Sequence, residues 1–540
     1  MAQYLVGLDG GTTGCKTCIF DLDGKLVGSD YREYPSYYPE PGWVEQTTED
    51  LLPNFYDSIK TAINKSGINP EDIIGFGFSS QGSVIGMLDE NGELLRPWVG
   101  WQDLRGEGEG IEYLTSRIPR SEIYKQTGDP VGTTFSNAKL AWLKLHEPEN
   151  WEKTALFSTM QDYFLKQFGA DDYYTDYSSA SREGMMDIDN ECWSKEMHDI
   201  LGIDLSKRAK IVKEPGKVVG HIGKEVSEKS GLPVGTPICM GAHDQNCCTF
   251  GAGAVDDGTA VLVMGTFGSC FVVSDKSIRD PKERLVVKGN HGCGNFTIEA
   301  FSNTAASSYR WYRDTFCDYE KLMAKEQGED PYDLINKQIA TSPIGANGIT
   351  FLSFLQGAGG ARINGKARGT FVGMTLGTRK ADMARAVMEG ICYEMYDIIR
   401  AEEDSGIKID KIRLAGGAAK SPLWCQMMAD IFKHPIQILE NGEAGCLGAA
   451  LYAGVGVGAY KDCHEAAKVA RTTKEYTPNP DNYAAYDAAY KRFCDVYDAL
   501  TSFRCYREPC SPEKALQYLK NNAGTKFDPK LTEVFARLKP

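Results

Sequence analysis

The stretch VGLDGGTTGCKT, residues 6–17, decides how this chain is read. It misses a P-loop by one residue: Gly10, four residues, then Cys15-Lys16-Thr17 would match if Cys15 were glycine. A P-loop lysine is followed by a helix whose N-terminus helps bind phosphate. Here residues 17–21 read TCIFD, rich in β-formers, and Asp23-Gly24 signals a turn before another extended run. The spacing predicts antiparallel strands over 3–9, 16–21 and 25–34, with 10–14 at the tip of the first hairpin. At that tip Gly11 lets backbone N–H groups approach a phosphate, and Thr12 and Thr13 add hydroxyl donors. Asp9, at the strand end, is placed to hold Mg²⁺ directly or through water. A plain glycine-rich turn is the other reading of this segment taken alone.

A second segment repeats the plan. AVLVMGTFGSCFVVSD, residues 260–275, is an apolar strand, a turn containing Gly265 and Thr266, and an apolar strand. Two copies half a chain apart predict two related domains that grip a nucleotide in the cleft between them. The pattern is similar to the fold shared by actin, the ATPase domain of heat-shock chaperones and many sugar kinases.

The 540 residues are enough for several domains with large cores. Hydrophobic residues at 42% and charged residues at 25% are ordinary for a globular protein. No apolar run reaches membrane-span length, and no basic segment precedes the first apolar stretch, so a cytoplasmic protein without a signal peptide is expected. A net charge of −15 with no basic run argues against nucleic acid as partner. The 16 cysteines are read as reduced thiols. Cys15 and Cys18 stand at Cys-x-x-Cys spacing but inside a strand. Cys247, Cys248 and Cys293, the last near His291, are read as buried small residues rather than metal ligands.

Between the hairpins lie candidate substrate residues. Thr48 is expected to cap a helix with Leu51, Leu52, Phe55, Ile59 and Ile63 on one face. Residues 73–82 read as a buried strand running into a polar loop, and Asn91-Gly92 marks a hairpin turn. In WVGWQDLR, residues 98–105, Trp101 can offer a flat apolar face to a sugar and Asp103 can accept its hydroxyl protons. A core tryptophan pair with a surface aspartate is the alternative there. Asp244 ends the short strand ICMGA, 238–242, where the two halves join. It is the best-placed general base, a role compatible with capping the helix that follows. Residues 379–404 form an amphipathic helix. Gly416-Gly417, at another strand end, makes room for a base and ribose. The small residues of EAGCLGAA, 443–450, allow close helix packing, and residues 501–540 read as a helical appendage.

In order, these motifs resemble the FGGY family of carbohydrate kinases over residues 4 to about 500. DGGTTGCK is similar to its first phosphate loop, with Lys16 where arginine or lysine is usual. Gly265-Thr266 resembles the second loop, and His243-Asp244-Gln245 the catalytic segment. GGAAKSPLWCQ, 416–426, resembles the adenosine loop, including Ser421, although Ala418 replaces a glycine. RGTFVG, 368–373, and RAVMEG, 385–390, resemble a further family stretch. The resemblance implies an α/β protein of two actin-like (ribonuclease H-like) ATPase domains, 1–254 and 255–500, flanking a catalytic cleft. It implies ATP and Mg²⁺ as cofactors, a sugar or polyol as partner, and a homodimer as is common in the family. Asp244 would then take the proton from the attacking hydroxyl, with both hairpins stabilising the transferring phosphoryl group.

SSQGS, 79–83, aligns with the family's acceptor loop and places Gln81 and Gly82 at the substrate, and the catalytic segment adds Asp244 and Gln245 there. Glycerol kinases carry Arg-Glu after this glutamine and xylulose kinases commonly Met-His, whereas Gly82-Ser83 stands here. Trp101-Gln102-Asp103 and TDYSSAS, 175–181, look more like xylulose kinases. The expected acceptor is thus a ketopentose such as D-xylulose, with another pentulose, a pentitol or a tetritol as alternatives. Ala306 and Arg310 depart from the glycerol-kinase pattern near adenosine. An actin- or chaperone-like ATPase and a silent sugar sensor are the competing classes, disfavoured by Gln81, Trp101, Asp103 and the intact Asp9 and Asp244.

Overall fold

A computed structural model describes residues 2–290, 296–501, 517, 520 and 521. Nearly all of the expected 501–540 appendage, together with His291 and Cys293, lies outside the described residues. Tyr4–Gly10 (β1) and Gly14–Asp21 (β2) pair antiparallel in a register that sets Asp9 opposite Lys16. Leu26–Glu33 (β3) adds to β2 antiparallel, and Ile73–Ser80 (β4) adds to β1 parallel. Val218–His221 (β5) and Pro237–Cys239 (β6) complete a six-stranded sheet in the order β5-β6-β4-β1-β2-β3.

Successive residues of a strand face opposite sides, so each face of this sheet needs its own cover. On one side Val6 and Leu8 meet Leu51, Phe55, Ile59 and Ile63 of the helix Thr48–Ser66 (α1). Burying each such side chain contributes about 1.5–3 kcal/mol. The cap of α1 is Thr47, not Thr48: its hydroxyl accepts from Asp50 N–H, and Thr48 is already helical. Thr48 instead accepts from the Trp98 indole N–H. Three further helices of the first half position the site: Ser136–His146 (α2), Tyr177–Ser181 (α3) and Asp244–Gly251 (α4).

The second sheet repeats the first. Thr259–Met264 (β7) and Gly268–Ser274 (β8) form the antiparallel hairpin, with Val286–Gly289 (β9) and Phe296–Ser302 (β10) beyond it. Lys411–Gly416 (β11), Ile436–Leu439 (β12) and Thr472–Tyr476 (β13) follow on the other side. The order is β9-β10-β8-β7-β11-β12-β13, with β7, β11 and β12 parallel. In both sheets an antiparallel run, three strands in the first and four in the second, leads into parallel ones, which is the duplication expected from the two hairpins. Ala306–Phe316 (α5), Lys380–Asp404 (α6) and Pro422–Phe432 (α7) pack on the second sheet, with Val387, Ile391, Met395 and Ile398 of α6 buried as its spacing predicts.

One helix crosses over. Ala444–Gly456 (α8), the small-residue segment, lies on the first sheet, sharing a core with Leu5, Cys18 and Phe20. Its backbone comes so close that a Cβ at Gly7 would overlap the Cys446 carbonyl, and one at Gly77 that of Ala449. Buried ion pairs also join the halves: Arg182 with Glu299, and Asp129 with Lys288. No disulfide forms among the described cysteines, and Cys15 and Cys18 are both buried thiols. Among the described residues no helix is long and apolar enough to cross a membrane.

Candidate active site

The parallel strands of the first sheet end together. After β4, Gln81 N–H donates to Gly10 O at the end of β1, and Ser80 bridges to His243 beyond β6. This topology brings Asp9, the 80–83 loop and Asp244 to one place. Trp101 spans the cleft from the same side. Its indole N–H donates to Thr12 Oγ1 at 2.9 Å, and its ring meets Phe267 of the second hairpin edge-on at 5.8 Å. Trp98, by contrast, is fully buried core. The expected tryptophan pair is therefore one core residue and one cleft residue.

Asp244 opens α4, with His243 as its N-cap. Its Oδ1 accepts from Gln245 N–H at 2.6 Å and lies 2.8 Å from His243 Nε2. Burial pushes this carboxyl up, but the adjacent His243, the Arg182 charge and the Gln245 N–H outweigh it and hold the group below its usual range. Asp244 is thus ionised at neutral pH while its side chain stays 25% exposed. Asp9 behaves oppositely. Burial first, and then the Asp244 and Glu443 charges, push it up to about 7, against Ser79, which donates to Oδ1 at 2.9 Å, and Lys16. Among the described residues no group of three or more His, Cys, Asp or Glu could hold a metal alone. A repelling pair of carboxylates is, however, the donor set that suits Mg²⁺ shared with phosphate oxygens and water.

The phosphate-loop candidates lie at two strand turns. Gly11, Thr12 and Thr13 join β1 to β2, with Thr12 O accepting from Gln46 Nε2 at 2.9 Å. Lys16 pairs with Glu443, at the head of α8, at 2.6 Å. Gly265 and Thr266 join β7 to β8, and their carbonyls accept from Ala306 N–H and Ala305 N–H at the head of α5. Gly416 and Gly417 are exposed beside Met264 at the ends of β11 and β7. Ser421 caps α7 through Trp424 N–H, so its hydroxyl holds the helix that follows the Gly-Gly turn. Arg310 is exposed on α5 and Ala306 is half-buried.

One expectation needs correction. Asp103 does not offer its carboxylate to a sugar. It is fully buried, and its four acceptor positions are filled by Val44 N–H, Arg105 N–H, Nε and Nη2. Arg105 in turn donates to Glu45 and stacks on Trp43, which makes the cluster a buried support under Trp101. Gln81 is also buried. Its amide nitrogen donates to Gln46 Oε1 at 2.8 Å, linking the acceptor loop through Gln46 to Thr12 O. Gly82 is half-buried between His243 and Arg182, and Gln245 is half-buried in the first turn of α4.

Two further residues shape the site: Ser83, already in the acceptor-loop motif, and Lys139, which carries no sequence signal. Ser83 has φ 57°, a left-handed conformation that costs a non-glycine residue on the order of 1–3 kcal/mol. It is held by its hydroxyl on Arg182 O at 2.8 Å and by Lys139 of α2, whose Nζ donates to Ser83 O and Gly100 O. Burial pulls the Lys139 amine down to about 7.

Residues 4–251 match the model of the N-terminal domain of the FGGY family of carbohydrate kinases, and residues 260–457 match that of its C-terminal domain. A gluconokinase of Bacillus subtilis (strain 168) is 30% identical over 491 residues, 90% of this chain and 94% of that one. A xylulose kinase of the same strain is 28% identical over 511 residues, 93% of this chain and 99% of that one. The crystal structure of gluconate kinase from Lactobacillus acidophilus superposes with a TM-score of 0.85 at 28% identity, covering 93% of this chain and 98% of that one.

Proposed function

The chain belongs to the FGGY family of carbohydrate kinases, and from that premise we propose that it transfers the γ-phosphoryl group of ATP to a hydroxyl of a ketopentose such as D-xylulose in the cytoplasm. The observation that carries the reaction is Asp244, an ionised and partly exposed carboxylate at the strand-end cleft beside Asp9. Asp244 takes the proton of the attacking hydroxyl. The new O–P bond forms as the bond from the γ-phosphorus to the bridging oxygen breaks, and ADP leaves. The backbone and hydroxyls of 11–13 and 265–266 stabilise the charge on the transferring group. Asp9, together with Asp244, would hold Mg²⁺, which when bound neutralises phosphate charge.

Charge balance supports a neutral acceptor. Beside the acceptor loop, Arg182 is engaged by both oxygens of Glu299, and Lys139 is fully buried on two carbonyls. A carboxylate-bearing acceptor would need a cation of its own. Gluconate is the second reading, favoured by the gluconokinase relative and by Arg182 Nε, a buried donor without a hydrogen-bond partner. A coupled ADP-release assay with Mg²⁺ATP against D-xylulose, L-xylulose, D-ribulose, L-ribulose, ribitol, xylitol, erythritol, glycerol and gluconate tests the choice. D-xylulose is expected to stimulate most. Stimulation by gluconate alone overturns the neutral-acceptor reading.

A further inference from the structure

We propose that His243 is a positioning residue that aims the Asp244 carboxylate, and that position 82 is glycine because the imidazole fills the space a side chain there would need. This inference rests on the reading of Asp244 as general base.

The imidazole is 5% exposed and constrained from three sides. Its Nδ1 accepts from Gln245 N–H at 3.3 Å, which puts the ring proton on Nε2. Nε2 therefore donates to Asp244 Oδ1 at 2.8 Å. With Gln245 N–H on the same oxygen, Oδ1 is committed, while Oδ2 accepts no hydrogen bond from a described residue. The ring thus decides which oxygen meets the acceptor hydroxyl. The backbone of His243 is fixed as well. Its N–H donates to Ser178 Oγ at 3.0 Å, and the Ser178 hydroxyl donates to Asp176 Oδ1, the aspartate of the TDYSSAS segment.

Gly82 closes the third side. A Cβ there would overlap His243 Cδ2 and lie 2.8 Å from Nε2 and 3.1 Å from Arg182 Cγ. A side chain at 82 would push the ring aside and release Asp244. The acceptor loop and the aim of the base are therefore one unit, joined across 161 residues of sequence (243 less 82). A ring that only capped the helix would couple to position 82 in Tm but not in kcat.

The test compares the H243A, H243Q, H243N, G82A and G82A/H243A variants, and D244N, by kcat, acceptor KM and Tm. H243A is expected to lose kcat about 10–100-fold, the size of a misaimed catalytic group. H243Q, whose amide nitrogen reaches where Nε2 does, should recover most of it. H243N keeps a good N-cap, and hence Tm, but not kcat, so it carries the test should H243A fold poorly. G82A should cost about tenfold in kcat/KM with His243 present and under twofold in the H243A background. Wild-type kcat in H243N, or an equal cost of G82A in both backgrounds, overturns the proposal. Activity in D244N would instead overturn the general-base reading on which it rests.

Discussion

The two hairpins share a strand plan and differ in chemistry. The first sets Asp9 opposite Lys16, and the second sets Val263 opposite Ser269 at the matching place. The first has four residues between its last paired positions, Gly10 and Cys15, and the second has three, between Met264 and Gly268. The anchoring differs too. The first turn is tied to the acceptor side by Trp101, Gln46 and Gln81, and the second to the head of α5 by Ala305, Ala306 and Ser307. One duplicated unit thus carries a charged pair and ties to Trp101 and Gln46 in its first copy, and an uncharged pair tied to the head of α5 in its second.

The sharpest way to break this contrast is to neutralise the charged turn. Asp9→Asn is expected to lower kcat by about 10²–10⁴-fold while Tm stays near wild type, as should Asp244→Asn. Near-wild-type turnover in either would make the two turns equivalent. The matching glycines offer a second comparison. A Cβ at Gly14 would overlap the Arg32 carbonyl, whereas at Gly268 it meets the movable Met395 sulfur at 2.6 Å and Ala305 Cβ at 3.0 Å. Gly14→Ala should cost about 1–3 kcal/mol in urea unfolding and Gly268→Ala clearly less.

A third comparison lies in the support beneath the second turn. Burial pushes Glu394 up to about 7, against hydrogen bonds from Ser302 and Ser353. The folded state then holds a proton that the unfolded state releases near the ordinary glutamate value of 4.5. Stability should fall as pH rises from about 4.5 to 7, with a slope of up to about 1.4 kcal/mol per pH unit, and flatten above. Glu394→Gln should make the slope shallower by that amount and leave the share of Asp9, which burial also pushes up to about 7. The smallest effect concerns the tether between the turns. Trp101→Phe keeps a ring against Phe267 but loses the bond to Thr12, worth about 0.5–1.5 kcal/mol, and should raise KM a few-fold without unfolding the protein.

Both hairpins and the two sheets they belong to were legible because strand periodicity and turn glycines are local signals; Asp244 was placed less closely, since the strand before it ends at Cys239 and the helix cap falls on His243. Asp103 was not legible, because a Trp-Asp loop reads alike whether its carboxylate meets a sugar or a buried arginine. The deciding partners are Arg105, two residues on, and Val44 and Glu45, about 60 residues back. The Thr47 cap was missed by one residue because either threonine of Thr47-Thr48 satisfies the pattern. The meaning of Gly82 was hidden for the same reason as that of Asp103: an imidazole far away in sequence occupies its space. The packing of 443–450 was readable, but not the sheet it packs against.

That last helix bears on how the molecule is made. The first sheet is complete in sequence by Cys239, yet one of its faces is covered by α8, which ends at Gly456. At about 5–20 residues per second, a ribosome needs some ten to forty seconds to deliver that cover. Until then a newly made first half carries an open apolar face, so although it emerges first it cannot finish folding before most of the second half is made. A chain interrupted between the halves would leave that face bare, which makes arrested translation products a natural substrate for chaperones.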